Sequence, residues 1–177
     1  MANSRLRKLV TYLRPYWRTV GLGILALFFV NGLGVYIPLL IRKIIDELGV
    51  TFSFNQIGQY VVLLLVLASI MWVIRVVSRM LIFGIGRQVE FDLKQKIFQH
   101  LLSLEPSYFH NNTAGDIISR ATSDVDNIRR LLGFAVLSLA NTFFAYGLTL
   151  PVMLAINPII TLEAIAVYPF MLLIVQL

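Results

Sequence analysis

The sequence contains no cysteine, which excludes disulfide bonds, cysteine-based zinc sites and thiol nucleophiles together. Its only two histidines, His100 and His110, have no acidic residues at ligand spacing, so no metal site is predicted. Charge is also scarce: 14% of the 177 residues are charged and 58% are hydrophobic. The mean hydropathy of +0.81 lies well above that of soluble domains. Lipid is therefore the expected solvent for much of the chain.

The sequence also lacks the motifs of nucleotide and hydrolytic chemistry. No Gly-x-x-x-x-Gly-Lys-Ser/Thr loop, Gly-x-Ser-x-Gly elbow or His-Glu-x-x-His pair occurs in it. We therefore predict no catalytic residue and no cofactor in this chain, and an enzyme with its own active site here is the least favoured class.

The basic residues are unevenly distributed. Thirteen of the 15 Lys and Arg lie either before Thr19 or between Arg75 and Arg130, and the net charge is +6. They flank apolar runs and form no single basic face, so we predict no nucleic-acid partner. Membrane proteins keep such residues on the cytoplasmic side, so the N-terminus and the region around Thr113 are predicted to be cytoplasmic.

Apolar runs predict an all-α membrane protein with an interfacial helix and four spans. The first uncharged run has 23 residues, or about 34 Å of helix, enough to cross a hydrocarbon core of about 30 Å. Four glycines in it suggest close helix approach: Gly21, Gly23, Gly32 and Gly34. The predicted bounds are 5–18 for the interfacial helix and 19–41, 56–104, 123–156 and 159–177 for the spans.

The second span is predicted to continue far beyond the membrane. Apolar residues recur every four positions through its charged end, from Val89 to Leu101, and Pro106 ends the pattern. The resulting 49 residues correspond to about 73 Å of helix, more than twice a bilayer core. We therefore expect a cytoplasmic extension.

Two helix-start signatures follow this extension. Thr113-x-x-Asp116 and Ser123-x-x-Asp126 each place an acidic residue three positions after a capping hydroxyl. They predict one short helix over 113–121 and a separate start for the third span. Asn157-Pro158 is predicted to end that span, and the fourth is expected to be truncated at Leu177.

The segment from Tyr108 to Ile128 resembles the first intracellular loop of exporter-type ABC transporters. It has the aromatic pair Tyr108-Phe109, the run from Gly115 to Arg120, and later Asp124-Val125. The resemblance extends over about residues 5–177. It implies the fold class of the family's transmembrane domain, in which long helices extend into the cytoplasm and a short transverse helix contacts a nucleotide-binding domain.

The resemblance implies further partners and roles. ATP and Mg²⁺ would bind in the nucleotide-binding domain, and two subunits would form an ATP-hydrolysing translocase. Its cargo would be an amphipathic drug, lipid or peptide, and its location the inner membrane of a bacterium, as a multi-pass protein. The residues assigned to coupling are Thr113, Gly115, Asp116, Ile117, Ile118 and Arg120. Their alternative role is that of an ordinary solvated loop helix.

Polar residues within the spans are candidates to line a cavity: Asn31, Ser138, Asn141, Thr142, Thr149 and Glu163. Hydrogen bonding between helices explains the uncharged ones without any ligand, and Glu163 also fits an interfacial position. Arg75 and Arg79 fit snorkelling side chains or ligands of anionic lipid headgroups. A non-transporting membrane sensor or assembly module remains the alternative for the whole chain.

Overall fold

The computed structural model describes residues 11–48, 54–106, 108 and 113–175. These residues form helices joined by short turns, with no strand among them, which confirms the all-α fold class. The α-helices are α1 (Trp17–Leu48), α2 (Phe54–Leu102), α3 (Ala114–Ser119), α4 (Val125–Ile156) and α5 (Pro158–Val175).

Three of the described helical stretches are long and apolar enough to cross a membrane. They are Thr11–Glu47, Phe54–Leu102 and Gly115–Ile156, and at most 11% of each apolar window is buried within the chain. Helices that expose such windows are stable where lipid or neighbouring helices cover them. The last helix, α5, is apolar and 18 residues long.

The first span is longer than predicted. We expected it to end at Ile41 with a loop over 42–51, but α1 continues to Leu48. The charged residues of this extension are compatible with a helix, and Lys43 Nζ lies 3.7 Å from Glu47 Oε1, one turn away. Residues 49–51 of that predicted loop lie outside the described residues. The second span was predicted two residues too late, but its length of 49 residues is as expected.

The start of the chain joins the first span without a gap. Residues 11–13 are helical, and Arg14–Tyr16 form a 3₁₀ turn that leads directly into α1. Tyr16 donates a hydrogen bond of 2.8 Å from its hydroxyl to Asp92 Oδ2, and Lys96 Nζ lies 5.0 Å from the centre of the Tyr12 ring. Both contacts tie this end to α2. Residues 5–10 of the predicted interfacial helix lie outside the described residues, so that helix stays a prediction.

The predicted break at Ser123 is wrong. A π-helical turn, Arg120–Asp124, connects α3 to α4, and helical backbone runs from Ala114 to Ile156. Thr122 Oγ1 donates to Ile118 O at 2.7 Å, so its hydroxyl bonds to the preceding turn. A single extra residue per turn accommodates the polar sequence within the helix instead of ending it.

Contacts divide the chain into two compact units. Unit 1 comprises Met1–Leu27 and Val73–Ala140, and unit 2 comprises Phe28–Trp72 and Asn141–Leu177. In unit 1, Ile85, Val89 and Leu132 form a buried apolar cluster between α2 and α4. The same unit holds the fully buried Ser78, whose hydroxyl donates to Gly23 O at 3.0 Å and links α2 to α1.

Glycines bring the helices of unit 1 close together. A Cβ on Gly23 would lie 2.7 Å from Ile82 Cγ1, and a Cβ on Gly86 would lie 2.9 Å from Arg129 O. These distances are shorter than real contacts, so both positions require glycine for the observed packing. The other three glycines predicted to make close contacts in the first span have open space within 4 Å: Gly21, Gly32 and Gly34.

Unit 2 is held by apolar contacts and a few hydrogen bonds. The Phe28 and Phe144 rings meet edge to face with centroids 5.5 Å apart. Asn157 confirms the predicted break between α4 and α5, because its Oδ1 accepts hydrogen bonds from the N–H groups of Ile159 and Ile160 at 3.0 and 3.2 Å. Pro158 opens α5, a position where its missing N–H costs no helical bond.

Candidate functional site

The short helix α3 is the centre of the predicted coupling segment. Its N-terminal boundary is Thr113, which has extended backbone dihedrals (φ −70°, ψ 136°). The Thr113 carbonyl accepts from Asp116 N and Ile117 N at 3.1 and 3.4 Å, whereas its side chain makes no capping hydrogen bond. The helix therefore starts as predicted, but backbone geometry and not the hydroxyl closes its first turn.

Asp116 and Arg120 form an ion pair, as their i,i+4 spacing on one helix predicts. Arg120 Nε lies 3.0 Å from Asp116 Oδ2, with side chains 72% and 51% exposed. The hydrogen bond from the guanidinium to Asp116 raises the pKa of Arg120 above its ordinary value, and the Asp116 charge adds to the effect. Such an exposed pair contributes little to stability. It gives the surface of α3 a fixed pattern of one negative and one positive group.

The helix also exposes an apolar side chain, which lies two residues from each partner of this pair and therefore faces away from it. Ile118 is 62% exposed, whereas Ile117 is half-buried. Gly115 is exposed, and a Cβ added to it would meet nothing within 4 Å. The chain itself therefore gives Gly115 no packing role. The segment from Gly115 to Arg120 thus exposes an apolar side chain at Ile118, backbone without a side chain at Gly115, and an ion pair. Such features are common in small protein-protein contacts.

The π turn connects this surface to a membrane span. Helical hydrogen bonding continues from α3 through Arg120–Asp124 to Val125, which is buried in unit 1. Further along α4, the uncharged run begins at Leu131. A displacement of α3 therefore has a continuous helical path into the third span.

The structure brings only some of the cavity candidates together. In unit 2, Asn31 Nδ2 donates to Asn141 Oδ1 at 3.2 Å, so these two amides link α1 and α4. Thr149 lies on the wall of a cavity of about 330 Å³ between α4 and α5 that also includes Tyr146 and Tyr168. Hydrogen bonding between helices therefore accounts for the Asn31–Asn141 pair, as the alternative interpretation expected.

The remaining cavity candidates have no common site. Thr142 and Glu163 are exposed in unit 2, and Ser138 is half-buried in unit 1. Exposed polar groups on membrane helices are stable where water or another helix covers them. No cluster of three His, Cys, Asp or Glu that could hold a metal ion occurs among residues 11–48, 54–106, 108 and 113–175.

One charge network was not predicted from the sequence. Arg129 Nη2 lies 2.5 Å from Asp126 Oδ1, and Arg129 Nη1 lies 3.4 Å from Glu90 Oε2. Arg130 Nε also pairs with Asp126 at 2.7 Å. The spacing of Asp126 and Arg130 along one helix could have indicated their pair. The link from Glu90 to Arg129 joins two helices, and no local pattern encodes it.

Comparison with known proteins identifies the family that this chain matches. The model of the ABC transporter transmembrane region matches residues 20–177. A Bacillus subtilis protein named "Probable multidrug resistance ABC transporter ATP-binding/permease protein" is 27% identical over 170 residues, covering 95% of this chain and 29% of the relative. A multidrug resistance-like ATP-binding protein of Escherichia coli is 29% identical over 134 residues, or 74% of this chain and 22% of the relative.

An ATP-dependent lipid A-core flippase of Legionella pneumophila is 24% identical over 170 residues, covering 94% of this chain and 29% of that protein. The chain thus spans under a third of the length of these curated relatives. The family model matches almost the whole chain, and three described helices are suited to cross a membrane. The chain is an integral membrane protein that belongs to the ABC transporter transmembrane region family.

Proposed function

We propose that this chain is the substrate-translocating part of an ATP-driven exporter. Its α3 helix contacts a nucleotide-binding domain, supplied by further sequence or by a partner chain, in which ATP and Mg²⁺ bind. Two such subunits form the working transporter. The observations that carry the proposal are the exposed Ile118 and the exposed Asp116–Arg120 pair, on a helical segment continuous with a membrane span.

The helical path gives the proposed coupling a physical basis. When ATP binding closes the nucleotide-binding domains, their surface moves α3, and the π turn transmits this motion to α4. A π turn is strained relative to an α-helix and suits a position where the helix must adjust. The spans then rearrange, and the cavity between them changes from inward-facing to outward-facing. The cavity candidates Asn31, Ser138, Asn141, Thr142, Thr149 and Glu163 belong to the translocation path in this proposal.

The proposed cargo is an amphipathic drug, lipid or peptide. Two observations support this class: the names of the relatives refer to multidrug resistance and to lipid A, and the unit 2 cavity at Thr149 combines tyrosine and threonine groups with apolar walls. Such a surface binds molecules with an apolar body and few polar groups.

The coupling assignment is tested by truncating the apolar anchor. In the full-length protein, Ile117→Ala/Ile118→Ala removes apolar area from the proposed contact with the nucleotide-binding domain. The loss is about 1 to 2 kcal/mol per side chain. The double variant should insert into the membrane and bind ATP as the parent does, while transport and substrate-stimulated ATPase fall together. Both activities are measured in reconstituted vesicles.

A matched control separates this effect from general loss of surface apolar area. Phe98 in α2 is 62% exposed, as Ile118 is, and Phe98→Ala should leave coupling at the parental level. The swap Asp116→Arg/Arg120→Asp keeps the ion pair but reverses the charge pattern, so it should impair coupling. Parental transport in the Ile117→Ala/Ile118→Ala variant would refute the coupling role and favour a solvated loop helix. Absence of transport by the parent itself would favour a sensor or assembly module.

We also propose that the N-terminus and α3 are cytoplasmic and that the protein lies in a bacterial inner membrane. The basis is that 13 of 15 Lys and Arg flank the proposed inner ends of the spans. Because residues 1–177 contain no cysteine, Ser53→Cys and Thr113→Cys each give a single label site once any cysteine elsewhere in the protein is replaced by Ser. A membrane-impermeant maleimide should label Ser53→Cys in intact cells and Thr113→Cys only after permeabilisation. The reverse pattern would refute this topology.

A further inference from the structure

Unit 1 contains a cavity of about 660 Å³ lined from α2 and α4. Its lining is unusual for a membrane helix pair, because it combines four arginines with aromatic and thioether side chains. The residues that matter here are Arg79, Arg87, Arg129, Arg130, Phe83 and Phe134. None of them was assigned to coupling or to the translocation path.

Close backbone contacts fix the position of this cavity. A Cβ on Gly86 would lie 2.9 Å from Arg129 O, and a Cβ on Gly133 would lie 2.9 Å from Phe83 Cδ1. Gly86 and Gly133 are both buried, so α2 and α4 touch directly beneath the cavity. The walls are therefore set by the helix pair itself and not by mobile loops.

The charges of the cavity are only partly neutralised. Arg129 pairs with Glu90 and Asp126, and Arg130 shares Asp126. Within the part of the chain that the structure describes, Arg79 and Arg87 have no salt bridge. The four guanidinium groups and Lys94, which pairs with Glu90 at 2.6 Å, thus meet two carboxylates, and Arg79 and Arg87 line the cavity without a salt bridge.

The cavity lies where the apolar and charged parts of the helices meet. Arg129 and Arg130 immediately precede the uncharged run that begins at Leu131. On α2, Arg79 and Arg87 are eight residues, or about 12 Å, apart along the axis with Phe83 between them. Arginine side chains at such a boundary extend towards the headgroup layer. The cavity therefore offers cationic groups at headgroup depth and apolar rings beside them.

We propose that this cavity binds an anionic phospholipid of the adjoining leaflet. Arg79 and Arg87 contact its phosphate, and Phe83 and Phe134 contact the beginning of its acyl chains. A free phosphate ion would use the arginines but not the apolar rings, whereas a neutral lipid would use the rings but leave the charges of Arg79 and Arg87 unpaired. The proposal is independent of transport, because it concerns equilibrium binding to a site outside the coupling segment and the unit 2 cavity.

Quenching of tryptophan fluorescence by brominated lipids tests this site in the full-length protein. The native Trp17 and Trp72, with any other tryptophan of that protein, are replaced by Phe, and Phe134→Trp becomes the only fluorophore, placed on the cavity wall. The protein is placed in phosphatidylcholine nanodiscs with either brominated phosphatidylglycerol or brominated phosphatidylcholine at equal mole fraction. The ratio of the two quenching curves gives the relative association constant. We expect phosphatidylglycerol to be favoured by about fivefold or more, since each basic residue near an anionic headgroup contributes about that factor.

Three variants identify the groups responsible. Arg79→Gln/Arg87→Gln should bring the ratio to about one while quenching by phosphatidylcholine persists, which verifies that the helix pair is intact. Arg79→Lys/Arg87→Lys should retain most of the preference, because it keeps the charge. Arg14→Gln/Arg18→Gln removes the same charge near the start of α1 and should leave the ratio unchanged.

Several outcomes would overturn the proposal. A ratio of one in the parent would exclude a preference for the anionic headgroup. An equal loss of preference in the Arg14→Gln/Arg18→Gln control would assign it to general surface charge. Displacement of brominated phosphatidylglycerol by millimolar inorganic phosphate would identify a free-anion site instead of a lipid site, and persistence of quenching under that phosphate supports the lipid.

Discussion

The two units of the chain are held together in different ways. Five of the six salt bridges between described residues lie in unit 1, as do most buried side chains, including Ser78, Ile82 and Val89. Among its described residues, unit 2 has one salt bridge, two side-chain hydrogen bonds between helices (Asn31–Asn141 and Tyr60–Glu47) and a cluster of aromatic contacts. Unit 1 therefore depends more on specific polar pairs and close backbone contacts, and unit 2 more on surroundings that lie outside the chain.

This difference matches the division of proposed roles. The coupling segment lies in unit 1, whereas five of the six cavity candidates lie in unit 2, with only Ser138 in unit 1. The helices α1, α2 and α4 each contribute residues to both units. In the proposed coupling, these shared helices connect the coupling segment to the cavity candidates. The comparison predicts that matched substitutions have larger effects in unit 1.

The largest effect is expected at Gly86 in unit 1. Gly86→Ala places a Cβ 2.9 Å from the backbone oxygen of Arg129, which cannot move without shifting α4. We expect a loss of about 1 to 3 kcal/mol of unfolding free energy. Gly84→Ala, two residues away with open space within 4 Å, should instead stabilise by up to about 1 kcal/mol through helix propensity. Unfolding in mixed detergent micelles measures the change in unfolding free energy for each variant. Changes of the same sign in Gly86→Ala and Gly84→Ala would contradict the close packing of unit 1.

A smaller effect is expected at Ser78. Ser78→Ala removes a buried hydrogen bond between α2 and α1 and should cost about 0.6 to 1.7 kcal/mol. Ser69→Ala in unit 2 is the matched control, because its hydroxyl bonds only to Leu65 O of its own helix and the side chain is exposed. That change should cost close to nothing. A larger loss at Ser69 than at Ser78, in the same unfolding assay, would reverse the comparison.

The smallest effect is expected for the amide pair of unit 2. A double-mutant cycle with Asn31→Ala and Asn141→Ala should give a coupling energy of about 0.6 kcal/mol, as is usual for hydrogen bonds between membrane helices. If the cycle gave several times this value, unit 2 would depend on specific polar pairs as unit 1 does. If transport fell while stability did not, the two amides would contribute to the translocation path as well as to helix packing.

The sequence predicted those features that depend on neighbouring residues. Asn157-Pro158 marks a helix boundary because both residues favour a helix start locally, and the Asp116–Arg120 pair follows from spacing on one helix. The length of α2 followed from its apolar repeat. These signals need no knowledge of tertiary structure.

Features that depend on distant residues were not predicted. Gly23 packs closely and Gly21 does not, because only the position of Ile82 on another helix distinguishes them. The capping signature at Ser123 was outweighed by a helix that continues through a π turn. The cavity lined by Arg79 and Arg129 requires two helices to be placed side by side. The site residues named from the sequence stay predictions, and their tertiary neighbours could not be named from the sequence.

The proposed coupling requires a change of access in the spans when ATP binds. Thr142→Cys and Phe143→Cys, adjacent exposed positions in α4, give a matched pair in a protein without native cysteine in this region. Their labelling rates with a water-soluble maleimide are measured in nanodiscs, with and without a non-hydrolysable ATP analogue. We predict that the rate at Thr142→Cys changes severalfold on nucleotide binding, while Phe143→Cys stays slow because lipid covers it. Identical rates at Thr142→Cys with and without nucleotide would contradict the account.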